Sequence, residues 1–151
     1  MDYEIAPHHL NRTGNAEGEL IGGNLSILYS LRGTIMDFET HGKILFIEDV
    51  GEELYHLDRM MQNLKIGGKL SELQGLIVGG MSGMKVGDPD FGKTAYEIIH
   101  ETVENYGYPI VFDFPAGHID ENWTLPLGRY LKIDVNEKHV KFLWDKNSEN
   151  S

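Results

Sequence analysis

Three short apolar segments recur along the chain at intervals that suit buried strands. They are residues 43–48, 73–78 and 109–114, each about the length of one strand and almost continuously apolar. A run without a polar face is typical of a strand that is covered on both sides, as in a parallel sheet. The sequence therefore predicts three central strands.

Helical periodicity fills the intervals between these strands. Residues 53–66 carry leucine and methionine at helical spacing and are followed by Gly67-Gly68. Asp88 and Pro89 predict the start of a second helix, because aspartate caps helix starts and proline suits the first turn. This helix is predicted to end before Gly107. The apolar residues on one of its faces are Phe91, Ala95, Ile98, Ile99, Val103 and Tyr106.

A shorter helix is predicted upstream of the first strand. Asn24 is a suitable N-cap, leucines follow at helical spacing, and Gly33 is expected to stop the helix. Strand, helix, strand, helix, strand is the βαβαβ pattern, which predicts parallel strands joined by right-handed crossovers. The fold class is therefore α/β.

The two ends of the chain show different patterns. Segments 130–135 and 139–144 alternate apolar and polar residues around a polar turn, which predicts a C-terminal β-hairpin. Residues 1–19 have no hydrophobic period and are predicted to form an irregular linker or entry segment. The remaining chain divides into a single domain, 20–144, and a polar tail, 145–151, that is predicted to be disordered.

Composition and charge exclude several functional classes. The 151 residues carry 13 Lys+Arg and 24 Asp+Glu, a formal net charge of −11, so we expect neither nucleic acid nor anionic membrane surfaces as partners. There is no cysteine, which excludes disulfides and thiolate nucleophiles. The sequence also contains neither an apolar run long enough for a membrane span nor a basic and apolar leader.

Residues suited to acid–base catalysis lie at the ends of the predicted central strands. In parallel α/β sheets, ligands and catalytic groups gather beyond the carboxyl ends of the strands. Here Glu48 ends the first strand, a small-residue segment, 79–83, follows the second, and His118 lies beyond the third. A carboxylate that accepts from one imidazole nitrogen leaves the other free to take a proton from a nucleophile. Glu48 and His118 are therefore the candidate acid–base pair.

Two further features of the sequence have competing interpretations. Ser82 lies in Gly80-Met-Ser-Gly-Met84, which is similar to a nucleophile elbow but lacks the final glycine, so a turn is favoured. Gly22, Gly23 and Asn24 precede a helix and could bind a substrate anion through main-chain N–H groups, although they lack a nucleotide-binding spacing.

Five motifs occur in one order along the chain: Gly18-Glu-Leu-Ile-Gly-Gly-Asn-Leu-Ser26, Gly33-Thr34, Ile44-Leu-Phe-Ile-Glu-Asp-Val-Gly-Glu52, Tyr55-His-Leu-Asp-Arg59 and Phe114-Pro-Ala-Gly-His118. In these motifs the chain resembles the serine LD-carboxypeptidase family, which includes microcin-immunity peptidases. The resemblance extends over about residues 2–136.

This resemblance implies a fold, a reaction and a set of partners. Family members combine an N-terminal domain that carries a serine nucleophile with a C-terminal domain of the swivelling β/β/α type, which this chain resembles. The implied triad is Ser-Glu-His, with Glu48 and His118 supplied here and the serine supplied by the absent N-terminal domain. The implied reaction releases terminal D-alanine from murein tetrapeptides in the bacterial cytoplasm, without a metal or organic cofactor. The resemblance also implies homodimers.

The chain alone is therefore expected to be inactive. Two other functions are compatible with the sequence. The first is a self-contained hydrolase that uses Ser82 as its nucleophile. The second is a non-catalytic module that holds a peptide or a partner domain.

Overall fold

A computed structural model describes residues 2–145, and its strands form one seven-stranded sheet. In chain order the elements are β1 (Asp2–Ile5), β2 (Gly14–Asn24), α1 (Leu25–Ser30), β3 (Ile44–Val50), α2 (Leu54–Ile66), β4 (Gly75–Ser82), α3 (Ala95–Val103), β5 (Ile110–Val111), β6 (Tyr130–Val135) and β7 (Val140–Trp144). Across the sheet the strand order is β1-β7-β6-β2-β3-β4-β5.

The sheet has a parallel half and an antiparallel half that meet at β2. Strands β2 to β5 are parallel to one another, whereas β6, β7 and β1 pair antiparallel. The first part of β2 pairs with β6, and its last part, Leu20–Asn24, pairs with β3. The predicted α/β class, the parallel βαβαβ unit and the C-terminal hairpin are therefore confirmed.

Two apolar clusters cover the opposite faces of the sheet. Leu45 and Ile47 contribute to the cluster that packs against the helices, while their neighbours Ile44 and Phe46 contribute to the other. This alternation follows from the pleat of a strand, in which successive side chains point to opposite faces. Because β3 is buried on both sides, its first four residues, 44–47, are all apolar, and the strand prediction is confirmed.

Helix α3 begins later than the sequence analysis predicts. Its N-cap is Thr94, whose hydroxyl accepts from the main-chain N–H of Glu97 while the Glu97 carboxylate accepts from that of Thr94. Asp88 and Pro89 lie in turns before the helix, and Gly92 has a φ of +81°, which interrupts helical geometry. The prediction of a start at Asp88 is therefore wrong, because a reciprocal capping box stabilises the later start.

The second and third central strands also differ from their predicted lengths. Strand β4 continues through Ser82, because its pairing with β3 resumes after an irregularity and extends to Val50. The glycines at 79 and 80 therefore lie within a strand and not in the predicted turn. Strand β5 has only two residues, and soon after it Asp113 has a φ of +61°, which ends the extended conformation.

The N-terminal segment is not the irregular linker that its sequence suggests. Strand β1 pairs with β7, β2 begins at Gly14, and the main chain of Arg12 exchanges two hydrogen bonds with Ile110. The inward positions of early β2 are the small residues Ala16 and Gly18, so the strand shows no apolar alternation. The predicted tail lies outside the described residues, except for Asp145.

Gly22 is required where β2 passes β3. Its φ is +133°, and a Cβ atom there would lie 1.9 Å from the main-chain oxygen of Phe46. Gly23 has a similar φ of +147°, but a Cβ atom there would meet no atom within 4 Å. A side chain at either glycine would therefore strain the backbone, but only a side chain at Gly22 would also clash with a neighbouring strand.

We predict that Gly22→Ala destabilises the fold more than Gly23→Ala. Gly23→Ala is expected to cost about 1–3 kcal/mol through its backbone conformation alone. Gly22→Ala adds a clash that β2 and β3 can relieve only by separating. Chemical denaturation followed by circular dichroism measures both free energies of unfolding, and equal losses would contradict the prediction.

Candidate active site

The candidate site begins with a buried carboxylate near the carboxyl end of β3. Glu48 pairs with Asn24 of β2, and its side chain is only 7% exposed. A buried carboxylate is costly unless hydrogen-bond donors or positive charge accompany it. The groups around Glu48 therefore decide what it can do.

His118 reaches Glu48 from an irregular segment between β5 and β6. The main chain comes close to Glu48 at Gly117, whose φ is +116°. A Cβ atom at Gly117 would lie 2.8 Å from both Cβ and Oε2 of Glu48. Glycine is thus the residue that lets the chain pass the carboxylate and deliver the next side chain to it.

Glu48 and His118 make two hydrogen bonds through one oxygen atom. Oε2 of Glu48 lies 2.8 Å from Nδ1 of His118 and also accepts from the main-chain N–H of His118 at 3.2 Å. An ionised carboxylate only accepts, so Nδ1 carries the proton and Nε2 of the neutral ring is an acceptor. The imidazole is 56% exposed, which leaves it accessible to an approaching group.

The electrostatics of the pair favour a protonated histidine. The hydrogen bond with Glu48 raises the pKa of His118 above its ordinary value, and the negative charge of Glu48 acts in the same direction. Desolvation opposes this effect, and Asp49 adds a further increase. Such a histidine is well suited to take a proton and hold it as an imidazolium.

Ser82 lies near the same carboxyl ends of the strands, but its hydroxyl bonds to the main chain of His118 and not to the imidazole. Its Oγ donates to the main-chain oxygen of His118 at 2.7 Å. Ser82 also lies within strand β4 rather than on the sharp turn that exposes a nucleophile. These contacts argue against Ser82 as a nucleophile activated by His118.

A second polar network lies beside the pair, on the side of α1. Asp49 accepts from the amide of Asn24 at 3.0 Å and from both the main-chain N–H and the hydroxyl of Ser26, at 3.0 and 2.7 Å. The Ser26 hydroxyl also lies 3.0 Å from Glu52, which contacts His56 at 2.7 Å. The hydrogen bond with His56 lowers the pKa of Glu52 against the opposing effect of burial.

This network changes the interpretation of the segment at 22–24. Gly22 and Gly23 pair with β3, and the side chain of Asn24 accepts from the main-chain N–H of Ile27. The N–H groups of Ser26 and Ile27 are thus engaged inside the protein, beside the negative charge of Asp49. An anion at this helix start is disfavoured, and a substrate-binding role for Gly22, Gly23 and Asn24 stays a prediction.

One residue of the site carried no recognisable signal in the sequence. Asn122 bonds both main-chain polar groups of Gly117: it accepts from the N–H at 3.2 Å and donates to the oxygen at 2.8 Å. It lies in a segment without periodicity, five residues after its partner. Only the preference of asparagine for local main-chain contacts could have suggested it.

The fold and the pair define an α/β domain with an acid–histidine pair of the kind that activates a nucleophile. Residues 17–133 match the LD-carboxypeptidase C-terminal domain. The chain therefore belongs to the LD-carboxypeptidase family, as its C-terminal domain. The resemblance seen in the sequence motifs is thus confirmed.

Relatives with this domain include enzymes and an immunity protein. A probable murein peptide carboxypeptidase of Bacillus subtilis is 37% identical over 135 residues, covering 89% of this chain and 42% of the relative. The microcin self-immunity protein MccF of Escherichia coli is 30% identical over 134 residues, covering 85% of this chain and 37% of the relative.

A solved structure has the same fold. The crystal structure of the muramoyltetrapeptide carboxypeptidase from Oxalobacter formigenes superposes with a TM-score of 0.80 at 28% identity, covering 94% of this chain and 48% of that one. The chain spans less than half the length of these relatives. Within residues 2–145, none of the helices has the length and apolar character needed to cross a membrane.

We predict that Glu48→Gln lowers the pKa of His118. The neutral amide removes the charge and the strong acceptor that favour the imidazolium, so the titration midpoint should move toward the ordinary value of about 6.5. The midpoint is measured from the ring signals of His118 in an NMR pH titration.

Glu72→Gln is the matched control for this titration. It also removes a carboxylate next to a histidine, because Glu72 lies 3.5 Å from Nδ1 of His41, but it leaves Glu48 in place. The His118 midpoint should be unchanged. A fall of the same size in both variants would show that net charge, and not the contact, sets the pKa.

Proposed function

We propose that this chain is the C-terminal domain of a serine LD-carboxypeptidase and supplies Glu48 and His118 to a Ser-Glu-His triad. The observation that carries the proposal is the 2.8 Å contact between a buried carboxylate and an accessible imidazole. Membership of the LD-carboxypeptidase family supports the same reaction class. The nucleophilic serine belongs to an N-terminal domain outside this sequence.

The pair performs proton transfer in the proposed reaction. Nε2 of His118 takes the proton of the serine hydroxyl as its oxygen attacks the carbonyl carbon of the scissile bond. The resulting imidazolium, stabilised by Glu48, donates this proton to the leaving amine as the C–N bond breaks. Water then attacks the acyl carbon while His118 takes its proton. The bond between the acyl carbon and the serine oxygen breaks, the shortened peptide leaves as its carboxylic acid, and His118 returns the proton to the serine oxygen.

The proposed substrate is a murein tetrapeptide, cleaved at an L-to-D bond to release terminal D-alanine. Similarity to the probable murein peptide carboxypeptidase of Bacillus subtilis and to the muramoyltetrapeptide carboxypeptidase of Oxalobacter formigenes supports a murein peptide as the substrate. MccF, an immunity protein, supports a peptide conjugate as the alternative substrate. A homodimer and a cytoplasmic location belong to the same proposal.

In the protein that joins this domain to the serine-bearing domain, His118→Ala should abolish most of the activity. By analogy with other triads, kcat falls by about 10⁶-fold for the histidine and about 10⁴-fold for an acid such as Glu48→Gln, leaving residual catalysis. D-Alanine release from murein tetrapeptide measures both effects.

His139→Ala is a matched control, because His139 also contacts a carboxylate, that of Asp134 at 3.4 Å, but lies in the β-hairpin. Its activity should be close to that of the unmodified protein. Near-normal D-alanine release by His118→Ala or Glu48→Gln would refute the assignment of the pair.

The pH dependence of kcat/KM should report the protonation of His118. The general base must be neutral, so activity should fall as the pH is lowered through the raised pKa of His118. The acidic limb should therefore have its midpoint above the ordinary value of about 6.5, and Glu48→Gln should move this midpoint down. A limb below the ordinary value would contradict a general base paired with Glu48.

The two other functions make opposite predictions for the isolated chain. A hydrolase that uses Ser82 would release D-alanine without the second domain and would lose activity on Ser82→Ala. A binding module would bind peptide without turnover, and addition of the serine-bearing domain would change nothing. Under the proposed function the isolated chain is inactive, and the serine-bearing domain is required.

A further inference from the structure

The chain segment that presents His118 is held by two side chains outside the acid–histidine pair. We propose that Ser82 and Asn122 are positioning residues, which fix the main chain around His118 so that its imidazole stays on Glu48. The catalytic meaning of this inference rests on the proposed function, but the positioning itself can be measured without turnover.

The segment around His118 needs such support. Residues 112–129 connect β5 and β6 without forming a helix or strand. Gly117 immediately precedes His118 and has a φ of +116°. A glycine loses more conformational freedom on folding than any other residue, so holding Gly117 in one conformation is costly. Neighbouring groups must therefore supply the order that regular secondary structure does not.

Asn122 fixes the residue before His118. Its amide oxygen accepts from the main-chain N–H of Gly117 at 3.2 Å, and its amide nitrogen donates to the oxygen of Gly117 at 2.8 Å. Two bonds of opposite direction restrain the rotation of Gly117 as well as its position. The arrangement resembles one rung of a sheet, formed by a side chain.

Ser82 fixes His118 itself. Its hydroxyl donates to the main-chain oxygen of His118 at 2.7 Å. Ser82 lies in β4 and pairs with Val50 of β3, the strand that also carries Glu48. The serine therefore links His118 to the rigid element from which its carboxylate partner projects.

Movement of this main chain would act directly on the imidazole. The same Oε2 atom of Glu48 accepts from the main-chain N–H and from the ring of His118. A shift of the main chain therefore changes both bonds at once. Ser82 and Asn122 act on this main chain, because their hydrogen bonds are to main-chain atoms of His118 and Gly117. Loss of the two supports should therefore weaken the contact between Glu48 and the imidazole.

An NMR titration of the 151-residue chain tests the inference. Ser82→Ala, Asn122→Ala and the double variant are compared with the unmodified chain and with Glu48→Gln, which defines complete loss of the contact. We expect the His118 midpoint to shift downward in each single variant and further in the double variant, toward the Glu48→Gln value.

Two substitutions elsewhere are matched controls. Ser71→Ala removes a hydroxyl that donates to the main-chain oxygen of Gly68, and Asn136→Ala removes a side chain that accepts from two main-chain N–H groups in the hairpin. Neither should move the His118 midpoint. Ser82→Thr keeps the hydroxyl and should restore the midpoint seen in the unmodified chain.

The outcomes separate this inference from the proposed function. An unchanged midpoint in the double variant, with a lowered one in Glu48→Gln, overturns the positioning role and leaves the pair intact. A midpoint that Glu48→Gln does not lower overturns the pair and the positioning role together. If the double variant does not fold, the comparison of Ser82→Ala with Ser82→Thr decides, and equal midpoints overturn the role of Ser82.

Discussion

The burial of one carboxylate constrains the structure around the candidate site. Glu48 is almost fully covered at the end of a central strand, so its charge requires donors from within the protein. His118 supplies two of them, one from the main chain and one from the ring. The close passage of the chain at Gly117 and the supports from Ser82 and Asn122 follow from bringing these donors to a fixed point on the sheet.

The parallel half of the fold could be predicted because burial on both faces leaves a simple sequence signature. Two local patterns each identify an element without reference to the rest of the chain: the apolar run in β3 and the helical spacing in α2. Since parallel strands share one carboxyl edge, the two strand ends also identified Glu48 and His118 as neighbours. Only the order of the elements along the chain is needed to place these two residues together.

The remaining parts depended on contacts that no local pattern reveals. Early β2 has Ala16 and Gly18 where alternation would require large apolar residues, so it resembled a loop. Gly79 resembled a turn signal, but its missing side chain makes room for the main-chain oxygen of Ala116 and the ring of Phe46. The start of α3 did have a signal, Thr94 followed three residues later by Glu97, which competed with the aspartate and proline upstream.

The adjacent acids Glu48 and Asp49 belong to two separate hydrogen-bond networks, at the point where the register between β3 and β4 shifts. One bonds His118, and the other bonds the start of α1 through Ser26. A shift of one residue in this strand would exchange them and offer the shorter carboxylate to the histidine. A single-residue insertion or deletion in β3 would therefore displace the carboxylate from the histidine, so the alignment of neighbouring strands is itself part of the site.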